Sequence, residues 1–486
     1  METAVPQGRA MAVRSDPRAR VRPSGAHQRT IPPRKGLRTG LRWMLRPANL
    51  SLILVIFWLT SPIAPLVPNL DDALSHVYAV QTDRIIVSEN RLNEEFLRLM
   101  WLPCYAIILA LALRHLTAIL MFLLRHWIVS VLLAWTFLSY FWSINPEDTL
   151  RRFIALAICS IGGIMLGLRY DNLQVARLLA VALLLGVAAS YVSALAFPAT
   201  GISGGGSYIG SWRGAYVNKN SLGGAMLKAC FVFWLLYYVD KNRWWLVALA
   251  LAGALLALST SKTPLVVLLI LVAILTVAHV SMRSPRHAPS VGALGIIVLI
   301  ALLMGSIIFR DPLLVILDRD PTFTGRAEVW SLTWEAIQHR LWLGYGYAAF
   351  WSEHYGPATA IWDSLNWRVP NSHSGVLEIW LGLGVVGVVL FALFVFHACL
   401  LIVRRARRVS LPELLWCIGT MLMFLVYSTT ESASLEHNSL GWVLVLSVVA
   451  ALARGDEAKT TQRVLPPMRR PPLRPAPARL RRRPAT

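Results

Sequence analysis

The four residues Asn371-Ser372-His373-Ser374 stand where a long polar segment gives way to a strongly apolar one that begins near Gly375. A histidine just outside the hydrocarbon and anchored by a helix is wet enough to exchange protons, which suits a general base. The same position also suits an interfacial residue beside a helix cap, with no chemistry at all. The apolar segment carries Glu378 early and Gly382 and Gly384 further in, small residues that let another helix approach closely.

Two further clusters are cationic. In the stretch from Gly210 to Gly223, Arg213, Lys219, Asn218 and Asn220 lie among turn glycines at the start of an apolar run. Donors and positive charge at a helix N-terminus favour an anion, and phosphate is the obvious candidate. Arg213 would fork onto phosphate oxygens while Lys219 supplies a point charge. A basic loop with turn glycines is the plainer alternative. Lys262, within Ser259-Thr260-Ser261-Lys262-Thr263, is either a ligand cation or a lysine snorkelling from a helix end. Arg326 opens a helix, where a cation is mildly unfavourable unless an anion shares the site.

The elements that must hold these residues are membrane helices. Of 486 residues 56% are hydrophobic, and mean hydropathy is +0.56. Apolar runs at residues 48–68, 97–113, 127–144, 150–168, 172–197, 221–239, 244–260, 264–281, 290–308, 375–403, 411–429 and 436–453 predict an all-α, polytopic helical membrane protein of about twelve transmembrane helices. Basic residues on alternate short connections, ending in the Arg404–Arg408 cluster, place those connections and both termini in the cytoplasm. By the same count residues 198–220, the Ser261-Lys262 turn, residues 309–374 and the turn from Glu431 to Asn438 face outward. The chain thus divides into a basic tail (1–47), nine helices (48–308), a large outer loop (309–374), three helices (375–453) and a second basic, Pro-rich tail (454–486).

The net charge of +22 does not indicate nucleic acid. The two tails carry 9 and 8 net positive charges, 17 of the 22, and no aromatic residues interleave those charges in a stacking pattern. They read as disordered segments at an anionic leaflet. The five cysteines fall within predicted spans and read as small apolar core residues. The first apolar run follows a long basic tail and reads as a start-transfer helix rather than a cleaved leader. Residues 309–374 hold 5 Lys/Arg and 7 Asp/Glu, so this is no disordered charged linker. Trp330, Trp334, Ile337 and Leu341 recur there at helical spacing, predicting an amphipathic helix that is either a lid over a lipid-borne substrate or an aromatic-belt anchor. Asp318-Arg319-Asp320 has the form of a metal-binding Asp-x-Asp, but a short acidic loop beside Pro321 is the commoner origin, and no metal is assigned.

Taken in order, "WRGAYVNKNSLGG", "STSKT", "TGRAEVW", "WLGYGY" and "NSHSGVLEIWLGLG" resemble the bacterial O-antigen ligase and polymerase superfamily, closest to its exopolysaccharide polymerase branch, over residues 126–450. In that family a histidine is followed by ten residues and a glycine, here His373 and Gly384. The resemblance implies a GT-C-like inner-membrane glycosyltransferase that takes a glycan from undecaprenyl pyrophosphate on the periplasmic face. Arg213 and Arg326 match the family's pyrophosphate-binding arginines, Lys219 and Asn220 lie inside a matching motif, and His373 matches the histidine that activates the acceptor hydroxyl. Glu378 and Glu431 are carboxylates positioned to support it. The reaction implied is metal-independent, cofactor-free and inverting. Its partners would be the lipid-linked glycan, an acceptor glycan or lipid A–core, and a chain-length regulator or export complex. Ligases often carry arginine, three residues, then leucine, whereas Arg326 is followed by Trp330 at that place, which favours polymerase over O-antigen ligase. A lipid-linked glycan flippase is the alternative from another class. It should carry its charges at the bilayer midplane rather than at the outer rim. The absence of a Gly-Lys-Ser/Thr phosphate loop argues against ATP-driven transport.

Overall fold

The computed structural model describes residues 42–62, 86–204, 209–283, 326–352, 356–365, 368–430 and 434–464. Among these the helices are α1 Pro47–Leu59, α2 Ile86–Leu113, α3 Leu116–Arg125, α4 Trp127–Leu138, α5 Pro146–Arg169, α6 Asn172–Ala196, α7 Lys219–Asp240, α8 Trp244–Leu258, α9 Lys262–Arg283, α10 Arg326–His339, α11 Pro357–Leu365, α12 Gly375–Arg405, α13 Leu411–Thr430 and α14 Leu440–Val464. Six of the described helices are long and apolar enough to cross a membrane, and α2 with α3 makes a seventh if the pair is one span. The predicted run at 290–308, Asp318-Arg319-Asp320, Glu431 and most of both basic tails lie outside the described residues.

Helix ends follow local chemistry. Asn145 caps α5 by accepting the Asp148 N–H at 3.2 Å, with Pro146 at the first helical position and Glu147 and Asp148 in the first turn. Asp171 and Gln174 form a reciprocal capping box on α6. At the centre α5 packs on α14, where the Trp442 indole donates to Ser160 Oγ at 2.8 Å with both residues buried. Exposed Leu246, Val247 and Leu251 of α8, and Leu265, Leu269 and Val272 of α9, give the apolar outer surface a bilayer requires.

Two expectations are corrected here. Residues 116–125 are not merely a connection: they form α3, turned 87° from the preceding helix. Nor do Gly382 and Gly384 admit a neighbouring helix. α12 is broken at Gly384 (φ +66°, ψ −170°), and an irregular strap, residues 341–346, crosses the break. Tyr345 N donates to Leu381 O at 2.6 Å, Gly346 N to Gly382 O at 3.0 Å, and Val385 N to Leu341 O at 2.9 Å. These bonds satisfy backbone groups that a broken helix leaves orphaned. A Cβ at Gly384 would collide with the Trp342 carbonyl, so the glycine serves both the positive φ and the close approach. The strap is the "WLGYGY" motif, and the break belongs to "NSHSGVLEIWLGLG". Two of the motifs are therefore one structural unit.

α10 does not use its apolar side as a free membrane anchor. Val329 and Ile337 are buried with Tyr345, Phe350, Ile361 and Trp362 in a small core of their own. Trp334 meets Trp380 of α12 edge to face, ring centres 5.2 Å apart, and Trp330 donates its indole N–H to Ser372 O at 2.9 Å. This packing ties α10 to the residue before His373.

Candidate functional site

The His373 segment is held from several directions. Its N–H donates to Asn371 Oδ1 at 3.0 Å, and its backbone takes φ +52°, a left-handed value that a histidine adopts only at some cost. Glu378, one turn into α12, accepts from Ser372 N at 2.6 Å and from the Trp351 indole at 2.9 Å. Those bonds, with Trp330 on the Ser372 carbonyl, fix the residues on which His373 rides. Glu378 is thus a positioning carboxylate.

His373 lines a cavity of about 500 Å³. Helix termini surround it: the end of α1, the start of α7, the approach to α12, the end of α13 and the loop into α14. Asn220 also lines it, with its Oδ1 accepting from Ser261 Oγ at 2.8 Å and its carbonyl from Tyr427 OH at 3.5 Å. The "VNKNS" and "STSKT" motifs therefore meet through Asn220 and Ser261. Asn218 is the cap of α7, accepting Ser221 N at 2.9 Å, so its side chain serves the helix.

The predicted cations fare differently. Arg213 is 2% exposed and lines neither of the two cavities described here; its guanidinium donates to Thr200 O at 2.7 Å and to Ala199 O at 3.4 Å. It stitches the corner after α6 to the approach to α7. Lys219 and Lys262 are the first residues of α7 and α9 and are half-buried, again outside both cavity linings. Arg326 is the first residue of α10, and its side chain lies outside the described set, as does all of Glu431.

Lys228 is the residue that sequence reasoning passed over. It lies in the third turn of α7, lines the larger cavity with His373, donates to Gly224 O at 3.1 Å and sits 5.2 Å from the Tyr427 ring centre. Its signal was available: it is the lone charge in the apolar run 221–239, and an ionisable residue inside a span is a functional candidate by default.

A second cavity, about 240 Å³, adjoins the first and is lined by Arg152, Trp351, Glu378, Ser434 and their neighbours. Pro370, Asn371, Glu436 and His437 line both. Arg152 hydrogen-bonds the Ala348 carbonyl and approaches Asp148 at 3.6 Å. Burial, reinforced by Arg152 and Arg151 and opposed by Asp148, lowers the His437 pKa to about 4, so its ring is neutral at physiological pH. The predicted span at 436–453 in fact begins as a helix only at Leu440, which leaves Glu436, His437 and Asn438 as cavity-lining loop.

Among known proteins, residues 246–392 match the family model described as O-Antigen ligase. No curated protein matches the chain. The matched stretch runs from α8 through the first half of α12 and includes His373, Glu378 and Gly384, while Arg213, Lys228 and the loop at 434–438 lie outside it.

Proposed function

We propose that this chain, which belongs to the O-antigen ligase and polymerase superfamily through its O-antigen ligase match, polymerises glycan repeat units carried on undecaprenyl pyrophosphate at the outer face of the inner membrane. The observation that carries the reading is that His373 and Lys228, a candidate base and a cation, line one cavity of about 500 Å³.

The larger cavity would take the junction of the diphosphate and its first sugar. Lys228 and the N-terminal turn of α7 would stabilise the charge that grows on the leaving diphosphate. Lys219, Lys262 and Arg326, at the starts of α7, α9 and α10, would draw the anionic donor in from the rim. His373 would accept the acceptor's hydroxyl proton as that oxygen bonds to the anomeric carbon and the bond to diphosphate breaks, with inversion. Arg213 would act by holding the approach to α7. The chemistry asks for cations and a base and for no cofactor. The second reading, transfer to lipid A–core as a ligase, is favoured by the description of the matching family. Trp330 in place of the ligase leucine favours polymerase.

The test is reconstitution in proteoliposomes with a polyprenyl-diphosphate glycan. Polyprenyl diphosphate should be released in step with each glycosidic bond formed. Movement of the lipid-linked glycan across the bilayer without that release would overturn the reading in favour of a flippase.

A further inference from the structure

Residues 434–438, ahead of α14, are pinned, yet Ser434 Oγ and His437 Nδ1 are left unused. Tyr347 OH donates to Leu435 O at 2.8 Å, and Tyr105 OH donates to Asn438 Oδ1 at 2.8 Å, with Asn438 itself at φ +63°. Just before and between these fastenings, Ser434 Oγ and His437 Nδ1 are buried with no hydrogen-bond partner among the described residues. Both residues line the smaller cavity, and Ser434 is 1% exposed. Buried polar groups in native proteins are normally paired, so two orphans from one fixed loop, lining one cavity, call for something to pair with.

Ser434 reaches this place because of Gly375. A Cβ there would collide with Ser434 Oγ, so the glycine lets the loop settle against the first turn of α12. The cavity, about 240 Å³, is several times the share of one water in liquid water, about 30 Å³. It is also unsuited to a diphosphate: Arg152 is committed to Ala348 O and Asp148, and the His437 ring is neutral. A hydroxyl and a neutral imidazole match the alternating donors and acceptors of a sugar's hydroxyls. Trp351 adds aromatic surface for the C–H face of a pyranose.

We propose that the smaller cavity is a sugar-ring subsite in which Ser434 and His437 hydrogen-bond hydroxyls of the glycan. The shared wall of Pro370, Asn371, Glu436 and His437 sets that ring beside the larger cavity, where the bond is made and broken. The proposal rests on the glycan-transfer reading for its substrate. The ring belongs either to the donor, next to its diphosphate, or to the acceptor.

Two measurements test it. In proteoliposomes the lipid-linked donor is varied at fixed acceptor oligosaccharide, then the reverse, for Ser434→Ala and His437→Gln. Loss of one neutral hydrogen bond predicts a rise in one KM of roughly 3- to 10-fold per variant with kcat within about twofold. Whichever KM moves identifies the source of the ring. Unchanged KM values in both arms overturn the proposal. Independently of turnover, Ser434→Cys is treated with a small methanethiosulfonate, the parent chain and its five cysteines giving the background. The oligosaccharide released from the host's own surface polysaccharide should slow modification of the introduced thiol, and inorganic pyrophosphate should not. A thiol that never reacts, or one protected equally by both probes or by neither, overturns it. Protection by oligosaccharide in a chain that transfers no glycan would retain the subsite and reject the transferase reading.

Discussion

Two segments present the same kind of promise in the sequence: the approach to α7, with Arg213, and the approach to α12, with His373. Each is polar, carries serine, and is followed by an apolar helix. In the folded chain they are used in opposite ways. Arg213 turns inward and spends its guanidinium on the carbonyls of Ala199 and Thr200. His373 follows a residue whose backbone Glu378 and Trp330 hold, and it lines a cavity. The difference lies in what the neighbours supply. Around His373, Glu378 and Trp330 satisfy the Ser372 backbone. Around Arg213 the arginine itself bonds the backbone. A charged residue in a motif can be drawn into structural bonds that its neighbours leave unmade.

The largest effect should come from His373. His373→Ala and His373→Gln should both insert normally and lose ~10²–10⁴-fold in glycan transfer, because neither replacement accepts the proton. Unextended lipid-linked repeat units should accumulate in cells carrying either variant. Wild-type polymer yield and length in either would end the comparison by making His373 structural as well. Lys228→Met comes next. It keeps an extended, apolar side chain in α7 while removing the cationic group from the cavity wall, and turnover should fall by ~10²-fold, the scale of one lost charge-stabilising donor. Lys228→Arg should recover part of that loss.

Arg213→Met should behave in the reverse manner. Removing the charged donor that bonds the Ala199 and Thr200 carbonyls costs about 1–3 kcal/mol of stability, read as lower folded yield and a lower unfolding temperature. Activity per folded molecule should stay close to wild type. Full folded yield with lost transfer would restore Arg213 as a diphosphate ligand and erase the contrast between the two segments.

How much of this was legible beforehand follows the same division. Apolar runs of bilayer length are a local property of composition, and α5, α6, α7, α9, α12 and α13 stand where they were predicted. His373 was legible because a polar-to-apolar boundary is visible in one dimension. The strap through Gly384 was not, because its cause is a carbonyl from Trp342 more than forty residues upstream. Nor was the fate of Arg213, which depends on where the carbonyls after α6 end up. Lys228 was legible as a lone charge in a span, though it lies away from the helix starts that mark Lys219 and Lys262. The loop at 434–438 carried no signal, since serine and histidine in a turn are ordinary until the turn is seen to be fastened with Ser434 Oγ and His437 Nδ1 unpaired.

The smallest expected effect concerns His437 and asks whether the smaller cavity is dry when unliganded. Burial and the nearby Arg152 and Arg151 hold its pKa at about 4, against 6.5 for a free histidine, while Asp148 pulls weakly the other way. Above pH 6.5 the ring is neutral in folded and unfolded chains alike, and the shift contributes nothing to the slope of stability with pH. As pH falls from 6.5 toward 4 the unfolded chain takes up the proton and the folded one does not, so the unfolded state gains and stability is lost. His437→Gln has no such proton to bind. Thermal unfolding in detergent, followed from pH 8 to pH 4, should therefore show a shallower acid-side fall in the Gln variant, by a few degrees at the lower end, with parallel profiles above pH 6.5. Profiles that superimpose throughout would mean that His437 titrates like a free histidine and that water already satisfies Nδ1. That outcome would make the loop at 434–438 resemble the Arg213 corner, a structural element whose polar groups are already spoken for.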